Sequence, residues 1–586
     1  MHASLKRRLL KYFSLEKELD KNNFLEKYFG CLKVIRRGKR NETEIDLPNE
    51  NRNLLGVVSL LVLFPPIESS KSLRSSSLRG PFFLRRFKKG AKRMEKSSNL
   101  ILDVNEFPKK KGQAIVLAIQ HVLAMFVACI TVPLIVYGRY TVNFGGETVS
   151  LSALMLPPTL VSAGIGTLFY LLVTKQKSPM FLASSFAYMA AMAEAIKVDG
   201  VYETLADGSV VFSAINLWIL PVGMLMVCVV YCLIALLIKI FGVAWLNKLL
   251  PPIVVGPVIM VIGLGLAGSA IANLTSASGN GMNYNWCAII SGLFAMIVTA
   301  LSAHYGKKIL SLIPFLIGMV SGYLLAALFT GIGYATNNDY WKVIDFSPLV
   351  NLFSNIRVQS FLDYPKFLFL VGAQSNSVVG LSGSAIGQAA LIFIPVSLVT
   401  VCEHIGDHKN MSGILQRDLL VDPGLSRTLI GDGVATGLSG ILCGAANTTY
   451  GENVAVVGVT KIASVKVMII ACLMAIALGF LSPIMALTET IPACVTGGVS
   501  MILYGFIASS GVKMMINEKI DMAKTKNMFV ASVILVAGIG GLVFSFATGK
   551  GSVSITSVSV AMILGIVMNL ILREKKEKSL SSGNEI

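Results

Sequence analysis

From Gln113 to Leu572 the chain alternates apolar stretches of about 20 residues with short polar loops, and a helix of that length rises far enough to cross a hydrocarbon core. About fourteen such stretches can be marked, beginning near residues 113, 151, 179, 210, 250, 285, 308, 387, 427, 446, 463, 491, 527 and 551. Two of them depart from the pattern. The third, "SPMFLASSFAYMAAMAEAI", and the tenth, "GAANTTYGENVAVVGVTK", are short, and each opens with small, hydroxyl-bearing residues of strand-like character before helical sequence resumes. Irregular backbone at membrane depth leaves N–H and C=O groups free, which is tolerable where they face protein, a cavity or a ligand.

Two further stretches read alike. Aligned without gaps, "PPIVVGPVIMVIGLGLAGSAI" from Pro251 and "PACVTGGVSMILYGFIASSGV" from Pro492 share Pro251/Pro492, Val254/Val495, Gly256/Gly497, Val258/Val499 and Met260/Met501. They are the fifth and twelfth stretches, and an offset of seven makes the repeated units antiparallel in a bilayer. Inverted repeats with interrupted helices are an architecture of secondary transporters, with the site near the midplane. Chance likeness between two Gly- and Val-rich spans is the competing reading. The expected fold is therefore an all-α polytopic membrane protein of about 14 transmembrane segments in two inverted 7-span repeats, with short strand-like breaks in spans 3 and 10.

Composition supports this class. The chain is 54% apolar and 14% charged, with mean hydropathy +0.70 and 53 glycines, which suit close helix packing. Of its +19 net charge, residues 1–111 hold the larger part, with 26 Lys and Arg against 12 Asp and Glu. A basic segment can mean nucleic acid, but beside a membrane domain it reads as a cytoplasmic face. The predicted loops alternate in Lys and Arg content in the sense that puts both termini in the cytoplasm. Residues 1–93 lack a helical or strand period and are expected to be a disordered extension. Met94 is an alternative start, in which case the upstream residues are untranslated. The nine cysteines form no CxxC and read as packing residues.

Chemistry concentrates at "TVCEHIGDHKNMSG", directly after the apolar run "ALIFIPVSLV" of the eighth span. Glu403 and Asp407, four apart, share a helix face, with His404 and His408 on the adjacent one. The order differs from the HExxH zinc signature, and no metal is expected. A helix end among lipid headgroups is the bland reading, but Glu452 supplies a second carboxylate in the interrupted tenth span, and acids inside membrane spans are normally functional. Two acids with free backbone amides suit a flat ring edged with N–H donors and C=O acceptors. One of the acids is a candidate to carry a coupling proton. Phe186, Tyr188 and Tyr450 are candidates for a ring face, although packing is the default role of each.

The segments "QHVLAMF", "SSFAY", "EHIGDH", "RDLLVDPGLSR", "NTTYGENVAVVGVTK" and "GGVSMILYG" resemble the nucleobase/ascorbate transporter (nucleobase:cation symporter-2) family, nearest to its bacterial uracil permeases, over residues 98–575. The resemblance implies a core domain of spans 1–4 and 8–11 (113–242 and 387–487) and a gate domain of spans 5–7 and 12–14 (243–335 and 488–572). A lead-in (94–112), an extracellular connection (336–386) and a cytoplasmic tail (573–586) complete the chain. It implies that Glu403 and Glu452 accept hydrogen bonds from a nucleobase, that backbone at Phe186 and Gly451 completes the contacts beside Tyr450, and that His121 of the "QH" pair supports the site together with His404. Asp407 stands where some uracil permeases have His and other members have Asp, and it is assigned to proton coupling. Ala455 replaces a common Gly.

The implied activity is proton-coupled import of a nucleobase by alternating access at the plasma membrane, with uracil favoured over xanthine or another purine. An anion exchanger of the same architecture is the more distant alternative. An enzyme is not expected, nor a cofactor beyond H+ as coupling ion, with Na+ left open. The partners implied are the small-molecule nucleobase, the lipid bilayer and, by analogy with the family, a second copy in a homodimer; nucleic acid is not among them.

Overall fold

The structure is a computed structural model, and it describes residues 100–144, 147–205, 209–275, 284–370, 377–548 and 551–572. The expected extension of residues 1–93, the first part of the lead-in and the whole of the C-terminal tail (573–586) lie outside the described residues. Apolar composition and the near absence of charge let most of the predicted spans close their own backbone hydrogen bonds as helices. Among the described residues, eight helices are long and apolar enough to cross a membrane. They are α1 (Lys111–Tyr137), α2 (Leu151–Val173), α4 (Ile219–Phe241), the pair α5 (Pro252–Gly265) and α6 (Ala267–Thr275) taken as one, α7 (Trp286–Tyr305), α8 (Pro314–Thr336), α9 (Gly383–Leu415) and α13 (Ala493–Asn517). Shorter helices fill the remaining stretches: α3 (Met189–Ala195), α10 (Leu425–Ile441), α11 (Gly451–Thr460), α12 (Val465–Leu478), α14 (Thr525–Ile539) and α15 (Ser557–Ile571).

The chain is not wholly helical outside the two expected breaks. The stretches expected to begin near 210 and 551 open as strands, β5 (Val210–Ala214) and β8 (Gly551–Ile555), and their helices start later, at Ile219 and Ser557. The β-branched and aromatic residues of "VVFSA" and "GSVSI" favour the strands. With β1 (Tyr140–Phe144), β2 (Glu147–Ser150) and β4 (Val201–Thr204), β5 forms a four-stranded sheet ordered β2-β1-β5-β4, while β8 pairs antiparallel with β7 (Phe544–Thr548).

The helices sort into two bundles by packing: α1, α2, α4, α9, α10, α11 and α12 pack on one another, and so do α5 to α8 with α13 to α15. Glycine sets how close the axes come. A Cβ on Gly498 of α13 would stand 2.0 Å from the Gly292 carbonyl oxygen of α7, and one on Gly164 of α2 would stand 2.6 Å from the Cys472 carbonyl oxygen of α12. Such contacts replace the hydrophobic drive that lipid cannot supply. Gly498→Val is accordingly expected to destabilise the second bundle by about 1–3 kcal/mol, seen as a lower midpoint of thermal unfolding in detergent. Gly505→Ala, on the same helix with open space around it, should leave that midpoint in place.

The third and tenth stretches are broken as expected. The strand β3 (Leu182–Ser184) precedes α3, and β6 (Asn447–Thr449) precedes α11. The two strands pair antiparallel with Leu182 opposite Thr449, Ala183 opposite Thr448 and Ser184 opposite Asn447. At the ends of the ladder the Tyr450 N–H donates to the Phe181 carbonyl (3.0 Å) and the Ser185 N–H to the Ala446 carbonyl (2.7 Å). Every strand residue is buried, so the broken backbone pairs with itself across the two segments instead of facing lipid.

Candidate functional site

Helix α9 carries the first acids. Ser382 caps it by accepting from the Ala385 N–H (3.0 Å), and it ends where Gln416 turns left-handed at φ 54°. Glu403, His404, Asp407 and His408 therefore lie within the helix and not at its end: it continues through "KNMSGIL", whose polar residues mask the continuation in the sequence. His404 and His408 are fully buried in protein, which sets aside the reading of a helix end among headgroups.

Asp407 faces the broken segments. The Thr449 hydroxyl, at the end of β6, donates to Asp407 Oδ2 (2.7 Å), and a Cβ placed on Gly451 would stand 3.7 Å from Asp407 Oδ1. Glu452 opens α11 in the turn that follows, where the first N–H groups of a helix lack intrahelical partners and favour an acid. Glu403, Asp407, Asp432 and Glu452 are near enough for their carboxyls to interact electrostatically. Glu403 Oε2 is buried and meets no hydrogen-bond partner among the described residues; the same holds for both side-chain amide atoms of Asn453, next to Glu452. The Tyr450 hydroxyl lies 3.4 Å from Ser184 Oγ. Phe186, just past β3, sets its ring edge-on to Tyr504 of α13, 5.7 Å between centroids, so a ring contact joins the two bundles.

His404 turns away from that cleft. Its Nδ1–H donates to Asp432 Oδ2 of α10 (2.7 Å), and its Nε2 lies 2.9 Å from the Thr428 hydroxyl. The His408 Nδ1–H donates to the His404 carbonyl (2.8 Å), which leaves its Nε2 to accept from the Tyr170 hydroxyl (2.6 Å), itself 2.8 Å from Ser178 Oγ. The two imidazoles stack 4.0 Å apart. This network bolts α9 to α2 and α10 behind the site. His121 is buried in α1, and its Nδ1 meets no hydrogen-bond partner among the described residues.

Four residues at or behind the cleft escaped the sequence reading. Asp432 carried a usable signal, a lone acid in the weakly polar run "LIGDGVATG". Asn453 stands beside Glu452 in a segment already singled out. Thr449 and Tyr504 carry no signal of their own, since a hydroxyl and an aromatic ring are ordinary in such spans, and only the fold brings them to Asp407 and Phe186. The arrangement gathers carboxylate oxygens, an amide and helix-end N–H groups, with an acceptor on Glu403 and both amide atoms of Asn453 unengaged among the described residues.

A family model described as "Permease family" (Xan_ur_permease) matches residues 112–548. The chain is 37% identical over 472 residues to the uracil permease of Bacillus caldolyticus, covering 80% of this chain and 94% of the relative. To the uracil permease of Bacillus subtilis (strain 168) it is 36% identical over 471 residues, again covering 80% and 94%. Among solved structures, murine Solute Carrier 26 family member A9, an anion transporter in the inward-facing state, matches with a TM-score of 0.53 at 11% identity, over 91% of this chain and 76% of that one. At that identity the likeness is one of fold.

Proposed function

The chain belongs to the permease family of nucleobase/ascorbate transporters, and from that premise we propose that it imports uracil by proton symport through alternating access. As a family member it is a multi-pass membrane transporter and not an enzyme. The observation that supports the finer reading is the contact between Asp407 and Thr449, which joins helix α9, the carrier of Glu403, to the broken segment β6–α11, the carrier of Glu452. In this reading Glu403 and Glu452 accept the ring N–H donors of the base, while backbone at Phe186 and Gly451 meets its carbonyls. Tyr450 and Phe186 flank the ring, and Asp407 carries the proton. His121 and the His404–Asp432 pair hold the helices in place.

The bundle of α1–α4 and α9–α12 acts as core and the bundle of α5–α8 and α13–α15 as gate, the two halves being inverted repeats with both termini cytoplasmic. One proton moving down 100 mV releases about 2.3 kcal/mol, enough for roughly a 50-fold gradient of a neutral solute. Anion exchange is disfavoured because two carboxylates at the binding point repel an anion.

Uptake of radiolabelled uracil into proteoliposomes tests this directly. An inward proton gradient should drive accumulation, a protonophore should abolish it, and Na+ should not replace H+. Excess unlabelled uracil should compete while xanthine and guanine do not. Accumulation unaffected by the protonophore would remove the coupling, and equal competition by xanthine would move the specificity to purines.

A further inference from the structure

We propose that Lys409 and Glu518 form an ionic latch between the two bundles, which must open for the bundles to slide past each other. The proposal rests on the core-and-gate reading above. Six ion pairs form among the described residues, and Lys409–Glu518 alone joins one bundle to the other: Lys409 Nζ of α9 lies 2.5 Å from Glu518 Oε1, at the C-cap of α13. The remaining five lie within a bundle or its loops.

Position argues that the contact is specific. The helices it ties are the two that carry the site, with Glu403 and Asp407 on α9 and Tyr504 on α13. The pair borders a cavity of about 320 Å³ lined from one side by Gly406, Lys409 and Asn410 and from the other by Met514, Asn517 and Glu518. Gly406, the residue before Asp407, is part of this lining, so the cavity reaches the acid-bearing turn of α9 at the end that the basic loops mark as cytoplasmic. Glu518 also sits badly for its own helix, because a carboxylate at a helix C-terminus faces the negative end of the dipole. Lys409, from the opposite bundle, offsets that. The cavity's other acid, Asp418, already accepts the Leu420 N–H (2.9 Å). Both latch side chains are about a third exposed, at 36% and 35%, which keeps the pair weak enough to break in every cycle.

Hydrogen exchange read by mass spectrometry tests the latch without any substrate or gradient, so its outcome is independent of which solute is carried. Lys409→Glu and Glu518→Lys, each alone, should speed exchange about threefold to fivefold in peptides covering both 406–416 and 511–519. The double swap Lys409→Glu/Glu518→Lys should return both to the parent rate. Asp422→Asn, which breaks the Lys177–Asp422 pair inside the first bundle, should leave both peptides unchanged. The proposal is overturned if the single variants exchange like the parent, if only one helix responds, if the swap stays as fast as the singles, or if Asp422→Asn has the same effect.

Discussion

Glu403→Gln is expected to abolish uracil binding and to lower the initial rate of uptake about a hundredfold. The substitution keeps the shape of the side chain and so leaves packing alone, but it replaces one acceptor oxygen with an amide donor. Glu403 Oε2 is buried without a partner among the described residues, so a solute N–H is the natural group to satisfy it. A hydrogen bond to a charged group contributes about 1.5–3 kcal/mol, or roughly 10- to 150-fold, and a donor set against a donor adds to the loss. Equilibrium binding of radiolabelled uracil to detergent-solubilised protein, with uptake in proteoliposomes, checks it. Glu452→Gln should behave in the same way. A variant that binds and transports as well as the parent would take its residue out of the site.

The second large effect is on stability. Asp432→Ala should lower the unfolding free energy by about 3 kcal/mol or more, because removing one member of a buried pair strands the other. His404 loses the acceptor of its Nδ1–H in a fully buried position. The stacked His408 and its Tyr170 contact then lose their support. A marked fall in the thermal unfolding midpoint is the expected observation, with Asp432→Asn falling less because its amide oxygen still accepts. Equal midpoints for Asp432→Ala and the parent would mean that the network behind the site does not brace it.

Much of this architecture is legible in the sequence because lipid imposes a simple rule: long apolar runs must be helices, and a run broken by "LASS" or "NTT" must find another way to pair its backbone. The two breaks are readable for that reason, as are Glu403 and Glu452 as intramembrane acids. The end of α9 is not, since "KNMSGIL" looks like a loop and becomes helix only because Met411 and Leu415 find a buried surface. Neither are the contacts made across more than forty residues of chain. Thr449 meets Asp407 and Tyr504 meets Phe186 through packing that no local pattern encodes, whereas Asp432, a lone acid in "LIGDGVATG", was readable by the same rule as Glu403 and Glu452.

The ladder between β3 and β6 has a mechanical corollary. With Leu182–Ser184 zipped to Asn447–Thr449 and the flanking amides of Ser185 and Tyr450 engaged as well, no hinge can lie between the two interrupted segments. Under the alternating access proposed above, they would travel as one cassette, and the groups they carry would cross ready-made instead of being rebuilt on arrival. Tyr504, on the other bundle, would stay behind, so its contact with Phe186 is where the two sides of the cycle would differ.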